Sequence, residues 1–132
     1  MGVAVSDWKL AYAVSSAGGL GVVSGTALDA VLARRLQNGD DGGHMRRALA
    51  AFPYPDVTQE LLAKYFLEGG RNGKPYRPIP KTTLERNRDH EILSVAANFC
   101  EVWLARQGSP TSRGKRRDHR GIRVRCGRVR QW

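Results

Sequence analysis

Short apolar runs that alternate with helical patterns are the feature that most limits the fold of this chain. The clearest example is Ala17–Asp29, which reads AGGLGVVSGTALD. The glycine pair near its start is typical of a helix end, because glycine accepts the left-handed conformation there. Leu20–Val23 is apolar with β-branched residues, which predicts a short strand buried on both faces. Ser24-Gly25 predicts a turn, and a new helical pattern follows at once.

The same pattern returns later in the chain. Ile92–Ala97 is a second apolar run, which predicts a buried strand that ends at Asn98. Apolar strands that alternate with helices are typical of parallel β/α units, so the prediction is an α/β fold. A ligand is expected at the carboxyl ends of the strands, at Ser24-Gly25 and Asn98. Met1–Val5 has the pattern of the tail of another strand.

The first helix is expected to begin after Ser6, whose hydroxyl suits an N-cap, with Asp7 in the first turn. Apolar residues at helical spacing predict one apolar face for this helix: Leu10, Ala13, Val14 and Ala17. Three more helices, a helical insert among them, are predicted between the two apolar runs. Gly69–Lys81 is predicted to be an irregular loop, because glycines and three prolines interrupt it.

The net charge of +10 is concentrated in one part of the chain. Residues 109–132 hold eight Arg and one Lys against one Asp, a net charge of +8. Residues 1–108 hold 13 basic and 11 acidic groups, a net charge of +2. The chain therefore divides near Gly108 into a nearly neutral body, 1–108, and a basic tail, 109–132.

Cysteine usage and hydropathy exclude several classes of protein. Cys100 and Cys126 make neither a disulfide framework nor a metal cluster, so a reducing, cytoplasmic location is expected. No apolar run approaches the ~20 residues of a membrane span. No charged segment followed by an apolar region marks a secretory signal. We expect no metal and no membrane partner.

Three segments carry a resemblance to a known family. They are MGVAVSDWKLAYAVSSAGGLGVVSGTALD, VLARRLQNGDDGGHMRRALAAFP and VAANFCEVWLARQG, and they occur in the family's order. Each resembles the N-terminal part of nitronate monooxygenases, also called 2-nitropropane dioxygenases, and above all their long bacterial branch. The resemblance covers roughly Met1 to Gly108, the helical insert included.

The resemblance implies an FMN-dependent TIM barrel that oxidises alkyl nitronates with O₂ to a carbonyl compound and nitrite. This chain would supply a partial (β/α) barrel, about the first three β/α units with the helical insert. The family's GGMG turn, which passes close to the flavin, matches only in part, at Met1 and Gly2 with Val3 next. The Asn of its ANF segment, which reaches the flavin, matches Asn98.

The cofactor-binding residues expected for FMN are therefore Met1, Gly2, Val3, Ser24, Gly25 and Asn98. Ser24 and Gly25 are included because they end the second predicted strand. Gly25 also has no side chain, so the flavin is able to approach the backbone closely. The residues alone favour Asn98 as a cap of the helix that follows, and the resemblance assigns it to the flavin instead.

The chain departs from the family in ways that affect function. A complete barrel needs eight β/α units, typically ~250 residues. The family's phosphate site and catalytic histidine lie further along, and none of His44, His90 and His119 matches that histidine. No catalytic residue is therefore predicted here, and the isolated chain is expected to be inactive with nitronate and O₂.

The sequence after Gly108 has no counterpart in the family, whose members continue there with a GxNYLEK-like segment. The tail is rich in Arg and also contains Gly, Ser and Cys, which is typical of GC-rich DNA translated out of frame. We expect that a frameshift ended the reading frame, and that a late start codon removed most of the first strand.

Two other functions stay open from the sequence. The tail has a basic cluster, Arg113–Arg117, and alternates apolar with cationic residues further on, which favours nonspecific contact with nucleic-acid phosphates. A selected nucleic-acid-binding module is the stronger form of this alternative. The other alternative is a related flavin barrel, such as an enoyl reductase.

Overall fold

The regular elements of this chain are helices. The computed structural model describes residues 3–81, 83 and 85–107, and this part contains five α-helices and a single 3₁₀ turn at Asp41–Gly43. The α-helices are α1 Trp8–Ser16, α2 Leu28–Gln37, α3 His44–Ala50, α4 Pro55–Tyr65 and α5 Arg88–Gln107. None of the helices in these ranges is long and apolar enough to cross a membrane.

The predicted α/β fold, a partial TIM barrel of β/α units, is wrong for the described residues, which contain no strand. The clearest error is Ile92–Ala97, which lies inside the 20-residue helix α5. Side chains buried along α5 recur at helical spacing, at Leu93, Ala96, Ala97, Cys100 and Leu104. A short, largely apolar run fits a buried strand and a buried helix equally well, and here the helix formed.

The start of α5 had a local signal that the strand prediction overlooked. Asn87 Oδ1 accepts hydrogen bonds from the backbone N–H of Asp89, at 3.1 Å, and of His90, at 3.3 Å. These are N-cap contacts, since they satisfy N–H groups in the first turn that have no partner within the helix. Asp89 and Glu91 add negative charge in the same turn, where the helix dipole favours it.

The other two predicted strands are also wrong. Leu20–Val23 has no regular structure, and no neighbouring strand in the described part of the chain pairs with it. A strand needs such a partner for its backbone hydrogen bonds, so apolar composition alone does not form one. At the N-terminus, residues 3–5 form turns, with Ala4 at a positive φ of 57°.

The first helix begins one residue later than predicted. Asp7 is the N-cap of α1, and its side chain accepts from the N–H groups of Lys9 and Leu10. The apolar stripe is real but faces the wrong way: Leu10, Ala13, Val14 and Ala17 are all exposed. The buried residues of α1, Trp8 and Ala11, lie on the opposite face.

Two predicted helix ends are confirmed. Gly18 has a φ of 88°, and the N–H groups of Gly18 and Gly19 donate to the carbonyls of Ser15 and Val14. Gly39, with a φ of 95°, ends α2 in the same way. Both ends are Schellman motifs, which need a left-handed residue that glycine adopts without a steric penalty.

The chain divides into two compact units. The first unit is Met1–Thr26 with Glu101–Trp132, and the second is Ala27–Cys100. In the described part of the first unit, the buried apolar residues are Trp8, Ala11, Leu104 and Ala105.

The second unit is a helical assembly in which α2 contacts α3 and α4, and α3 contacts α4. Its fully buried side chains include Leu32, Leu36, Leu49, Tyr65, Leu93 and Cys100. The hydroxyl of Thr58, on α4, donates to the carbonyl of Leu49 at 3.0 Å and joins α4 to α3. Lys64 on α4 donates to Asp89 on α5 at 2.7 Å, and this hydrogen bond holds the pKa of the Asp89 carboxyl below its usual value.

The loop predicted to be irregular, Gly69–Lys81, has no regular structure in its described residues, and α2 holds it in place. Buried Gln37 accepts from the N–H of Arg77 at 2.6 Å and donates to its carbonyl at 3.4 Å. Gly39 and Gly70 lie close together, because a Cβ on Gly39 would be 2.9 Å from the backbone nitrogen of Gly70. The loop is therefore hydrogen-bonded to Gln37 on α2 and lies close to the turn that follows this helix.

Candidate functional site

The residues expected to contact FMN divide between the two units. Met1 and Gly2 lie outside the described residues. Val3, Ser24 and Gly25 belong to the first unit, and Asn98 belongs to the second. Val3 and Gly25 are exposed, whereas Ser24 is buried. Within the first unit, Ser24-Gly25 is therefore the described part of the predicted site whose surroundings can be traced in detail.

Ser24 is held against Ser6 by backbone and hydroxyl groups. The Ser24 N–H donates to the Ser6 carbonyl at 2.9 Å, and the Ser6 hydroxyl donates to the carbonyl of Val22 at 2.6 Å. The arrangement resembles one rung of a parallel pairing, with the Ser6 hydroxyl in place of a backbone N–H. Ser6 was predicted as the N-cap of α1. It instead forms the hydrogen bonds that hold the segment Val22–Ser24 in place.

Close contact with α1 also positions this segment. The Gly21 N–H donates to the hydroxyl of Ser15 at 3.2 Å. A Cβ added to Gly21 would lie 2.1 Å from the carbonyl oxygen of Ala11, which belongs to the helix backbone. Only glycine allows the backbone to approach a helix this closely.

Replacement of Gly21 with alanine is expected to destabilise the first unit by about 1–3 kcal/mol, because neither backbone can move away without breaking hydrogen bonds. Urea denaturation followed by tryptophan fluorescence measures the loss, since buried Trp8 lies in this unit. The control is Leu20→Ala at an exposed neighbour. A Gly21→Ala variant as stable as that control would contradict the close approach.

The hydroxyl of Ser24 is the side-chain group of this pair that is able to hydrogen-bond a ligand. It forms none of the hydrogen bonds seen among the described residues, although Ser24 is only 5% exposed. No fully buried polar side-chain atom in that part of the chain lacks a partner, so this hydroxyl reaches solvent. Next to it, exposed Gly25 has no side chain to keep a ligand from the backbone. The pair fits a ligand that approaches the main chain and accepts or donates one hydrogen bond.

Asn98 lies in the middle of α5, neither at a strand end nor at a helix cap, so both placements expected from the sequence are wrong. Its amide nitrogen donates to the carbonyl of Ser94, one turn earlier, at 2.8 Å. The side chain is half-buried, and this bond commits one of its amide hydrogens to its own helix. The contact of Asn98 with a flavin stays a prediction.

A buried carboxylate in the first unit was missed by the sequence analysis. Glu101 is 2% exposed, and its Oε2 accepts from the Trp8 N–H at 2.8 Å. A negative charge at this position stabilises α1, because it interacts favourably with the positive end of the helix dipole. The sequence did contain a signal for it: Glu101 lies on the apolar face of a helical pattern, beside Cys100 and Leu104. Burial of an unpaired charge there would be unfavourable, so a partner was to be expected.

The structure describes two of the three histidines, His44 and His90, and each lies beside a charged side chain. His90 Nε2 lies 3.3 Å from Asp29 Oδ2, and both side chains are partly buried. His44 begins α3 and lies 3.4 Å from Arg47. Within the described ranges, no group of His, Cys, Asp or Glu side chains could hold a metal ion.

Comparison with family models, with curated proteins and with solved structures finds no match to this chain.

Proposed function

We propose that this chain forms the N-terminal part of an FMN-dependent oxidoreductase of the nitronate monooxygenase type. The observation that carries the proposal is the resemblance of three segments, in order, over roughly Met1 to Gly108. The geometry at Ser24-Gly25 supports it, because the hydroxyl of the largely buried Ser24 lies next to the exposed backbone of Gly25, at the position expected to contact the cofactor.

A second observation supports the proposal: the first unit exposes many large apolar side chains. They are Val3, Val5, Leu10, Val14, Leu20 and Val22, with exposed fractions from 38% to 67%. Scattered exposed apolar residues are ordinary, but six in so short a stretch indicate a surface that further protein covers. A larger enzyme of which this chain is one part would supply that cover.

Each residue has a limited role in this proposal. FMN, when bound, would take electrons from the nitronate and pass them to O₂. Ser24 would hydrogen-bond the cofactor through its hydroxyl, and Gly25 would let the backbone approach it. Met1, Gly2, Val3 and Asn98 are the other expected contacts. The proposal assigns no catalytic base to this chain.

The deciding experiment is to sequence the DNA on both sides of the coding region and to translate it in all frames. Recovery of a GxNYLEK-like segment beyond the codon for Gly108 would support a flavoenzyme whose reading frame has shifted. Unrelated sequence in every frame would contradict the proposal.

We expect the isolated chain to bind little FMN and to have no activity, because the resemblance covers only the N-terminal part of the family and not its phosphate site or its catalytic histidine. Purification followed by flavin absorbance and by oxygen consumption with an alkyl nitronate tests this. A yellow protein with stoichiometric FMN that consumes oxygen would show that the chain is sufficient by itself.

A second candidate function rests on the charge of the tail, net +8 over residues 109–132, which lie outside the described residues. We expect RNA binding through this tail to fall by about 10³ between about 50 and 200 mM salt, because neutralised phosphates release counterions. Fluorescence anisotropy with two unrelated RNAs measures this, and a chain ending at Gln107 is the control. Binding that keeps a sequence preference at the higher salt would favour a selected nucleic-acid module instead.

A further inference from the structure

Two arginines lie against one tyrosine ring on the surface of the second unit. The guanidinium carbon of Arg34, on α2, is 4.2 Å from the ring centroid of Tyr76, and that of Arg71 is 4.3 Å from it. Tyr76 is 38% exposed, and its hydroxyl donates to Asn38 Oδ1 at 3.1 Å. We call Arg34, Arg71 and Tyr76 the arginine–tyrosine cluster.

The charges of this cluster are not neutralised by neighbouring carboxylates. Within the described ranges, neither Arg34 nor Arg71 forms an ion pair with Asp or Glu. Each uses Nη1 to donate to a backbone carbonyl, of Arg77 at 3.4 Å and of Lys74 at 2.7 Å respectively. Arg71 also hydrogen-bonds the hydroxyl of Tyr76, and the N–H groups that these contacts do not use are left to bind an anion. The segment Gly69–Arg77 adds two more cations and contains no acidic residue.

The arrangement is held in place before any ligand arrives. Stacking on Tyr76 limits the rotation of both guanidiniums, and Asn38 fixes the tyrosine hydroxyl. The loop itself is bound to α2 through buried Gln37. A preorganised site loses less conformational entropy on binding than two free arginine side chains would. Ordinary surface arginines have no such support.

We propose that the arginine–tyrosine cluster binds a phosphate group, as the free ion or as a phosphate monoester. Two guanidiniums without carboxylate partners concentrate positive charge around one ring, which favours a doubly charged oxyanion, and a guanidinium is able to donate two N–H groups to such an anion. The site belongs to the second unit, within the nearly neutral body of the chain.

The test follows the Nε–H signals of individual arginines by NMR while inorganic phosphate is added to the full chain at low salt. The signals of Arg34 and Arg71 should shift along a saturable curve. That of Arg86 should not, because Arg86 is exposed and paired with Glu91 at 2.8 Å. Following single residues separates this site from phosphate bound by the tail. Absence of a saturable shift at Arg34 and Arg71 would overturn the proposal.

Two variants separate bidentate recognition from charge alone. Arg71→Gln should weaken phosphate binding, read at Arg34, by about tenfold, and Arg86→Gln, with the same loss of charge, should leave it unchanged. Arg71→Lys keeps the charge but lacks the planar fork, so it should also weaken binding. Phosphate binding by Arg71→Lys equal to that of the unchanged chain would mean nonspecific attraction and would refute the site.

A second titration identifies the source of the phosphate. Tighter binding of a nucleoside 5′-monophosphate than of inorganic phosphate would support the cluster as a site for a phosphate monoester. Equal affinity would support a site for the free ion. Saturable shifts by neither compound contradict the proposal in both forms.

Discussion

Replacement of Leu93 with alanine is expected to lower the free energy of unfolding by about 3 kcal/mol, whereas Val95→Ala should change it by less than about 0.5 kcal/mol. The two residues are two apart in sequence. On a strand they would share a face, but on a helix they point to different sides. Leu93 is fully buried and Val95 is 60% exposed, as the helix α5 requires.

The large effect at Leu93 has two sources. Truncation to alanine loses the transfer free energy of the removed carbons, and it leaves a cavity that the second unit closes only in part. Val95→Ala leaves no cavity, and alanine has the higher helix propensity, which offsets the small loss of apolar contact.

Urea denaturation followed by far-ultraviolet circular dichroism measures both variants on the full chain. Similar costs at the two positions would mean that they share a buried face, and the helical assignment would then be wrong. If Leu93→Ala does not fold at all, Leu93→Met serves in its place, with an expected cost below about 1.5 kcal/mol. Val95→Ala should still be close to neutral in that case.

Replacement of Asp40 with alanine is expected to destabilise the second unit by about 2–3 kcal/mol. Asp40 is 4% exposed and lies between α2 and α3. Its Oδ1 accepts from the N–H of Met45 at 2.9 Å, and its Oδ2 accepts from the N–H and the Nε–H of Arg46 at 2.8 and 3.2 Å. Three charge-assisted hydrogen bonds, two of them to the first turn of α3, are lost together.

Backbone conformation adds to the cost at this position. Asp40 has a φ of 51°, in the left-handed region that aspartate tolerates better than alanine. Asp40→Gly also removes the carboxylate, but glycine adopts this φ without strain, so this variant should lose less stability than Asp40→Ala. The difference between the free energies of unfolding of the two variants measures the backbone contribution. Asp40→Asn keeps one acceptor oxygen and should fall between the unchanged chain and Asp40→Gly.

The matched control is Asp41→Ala, the exposed neighbour in the 3₁₀ turn, which should cost less than about 0.5 kcal/mol. Differential scanning calorimetry of these four variants gives the ranking. Equal stability of Asp40→Ala and Asp41→Ala would contradict the role of the Asp40 carboxylate in joining α2 to α3.

Part of the candidate site followed from the sequence, and part did not. Ser24-Gly25 was singled out as the end of an apolar run, and the structure gives Ser24 a solvent-reaching hydroxyl beside an exposed glycine. The position of Asn98 was wrong, because it depended on a strand that the chain does not form. Glu101 and the arginine–tyrosine cluster were missed, since both join residues that lie far apart in the chain.

The C-terminal ends of α1 and α2 were predicted correctly, because their cause is local. A glycine that can adopt a positive φ ends α1 at Gly18 and α2 at Gly39, whatever surrounds it. The division of charge between a neutral body and a basic tail is likewise a property of the sequence alone.

Only the tertiary structure decided whether an apolar run became a helix or a strand, and which face of a helix was buried. Ile92–Ala97 would suit either element, and packing around Leu93 and Cys100 selected the helix. Similarly, α1 buries Trp8 rather than the predicted stripe that includes Leu10 and Val14. Hydrophobic burial depends on which surfaces of the chain meet, and periodicity along a single segment does not contain that information.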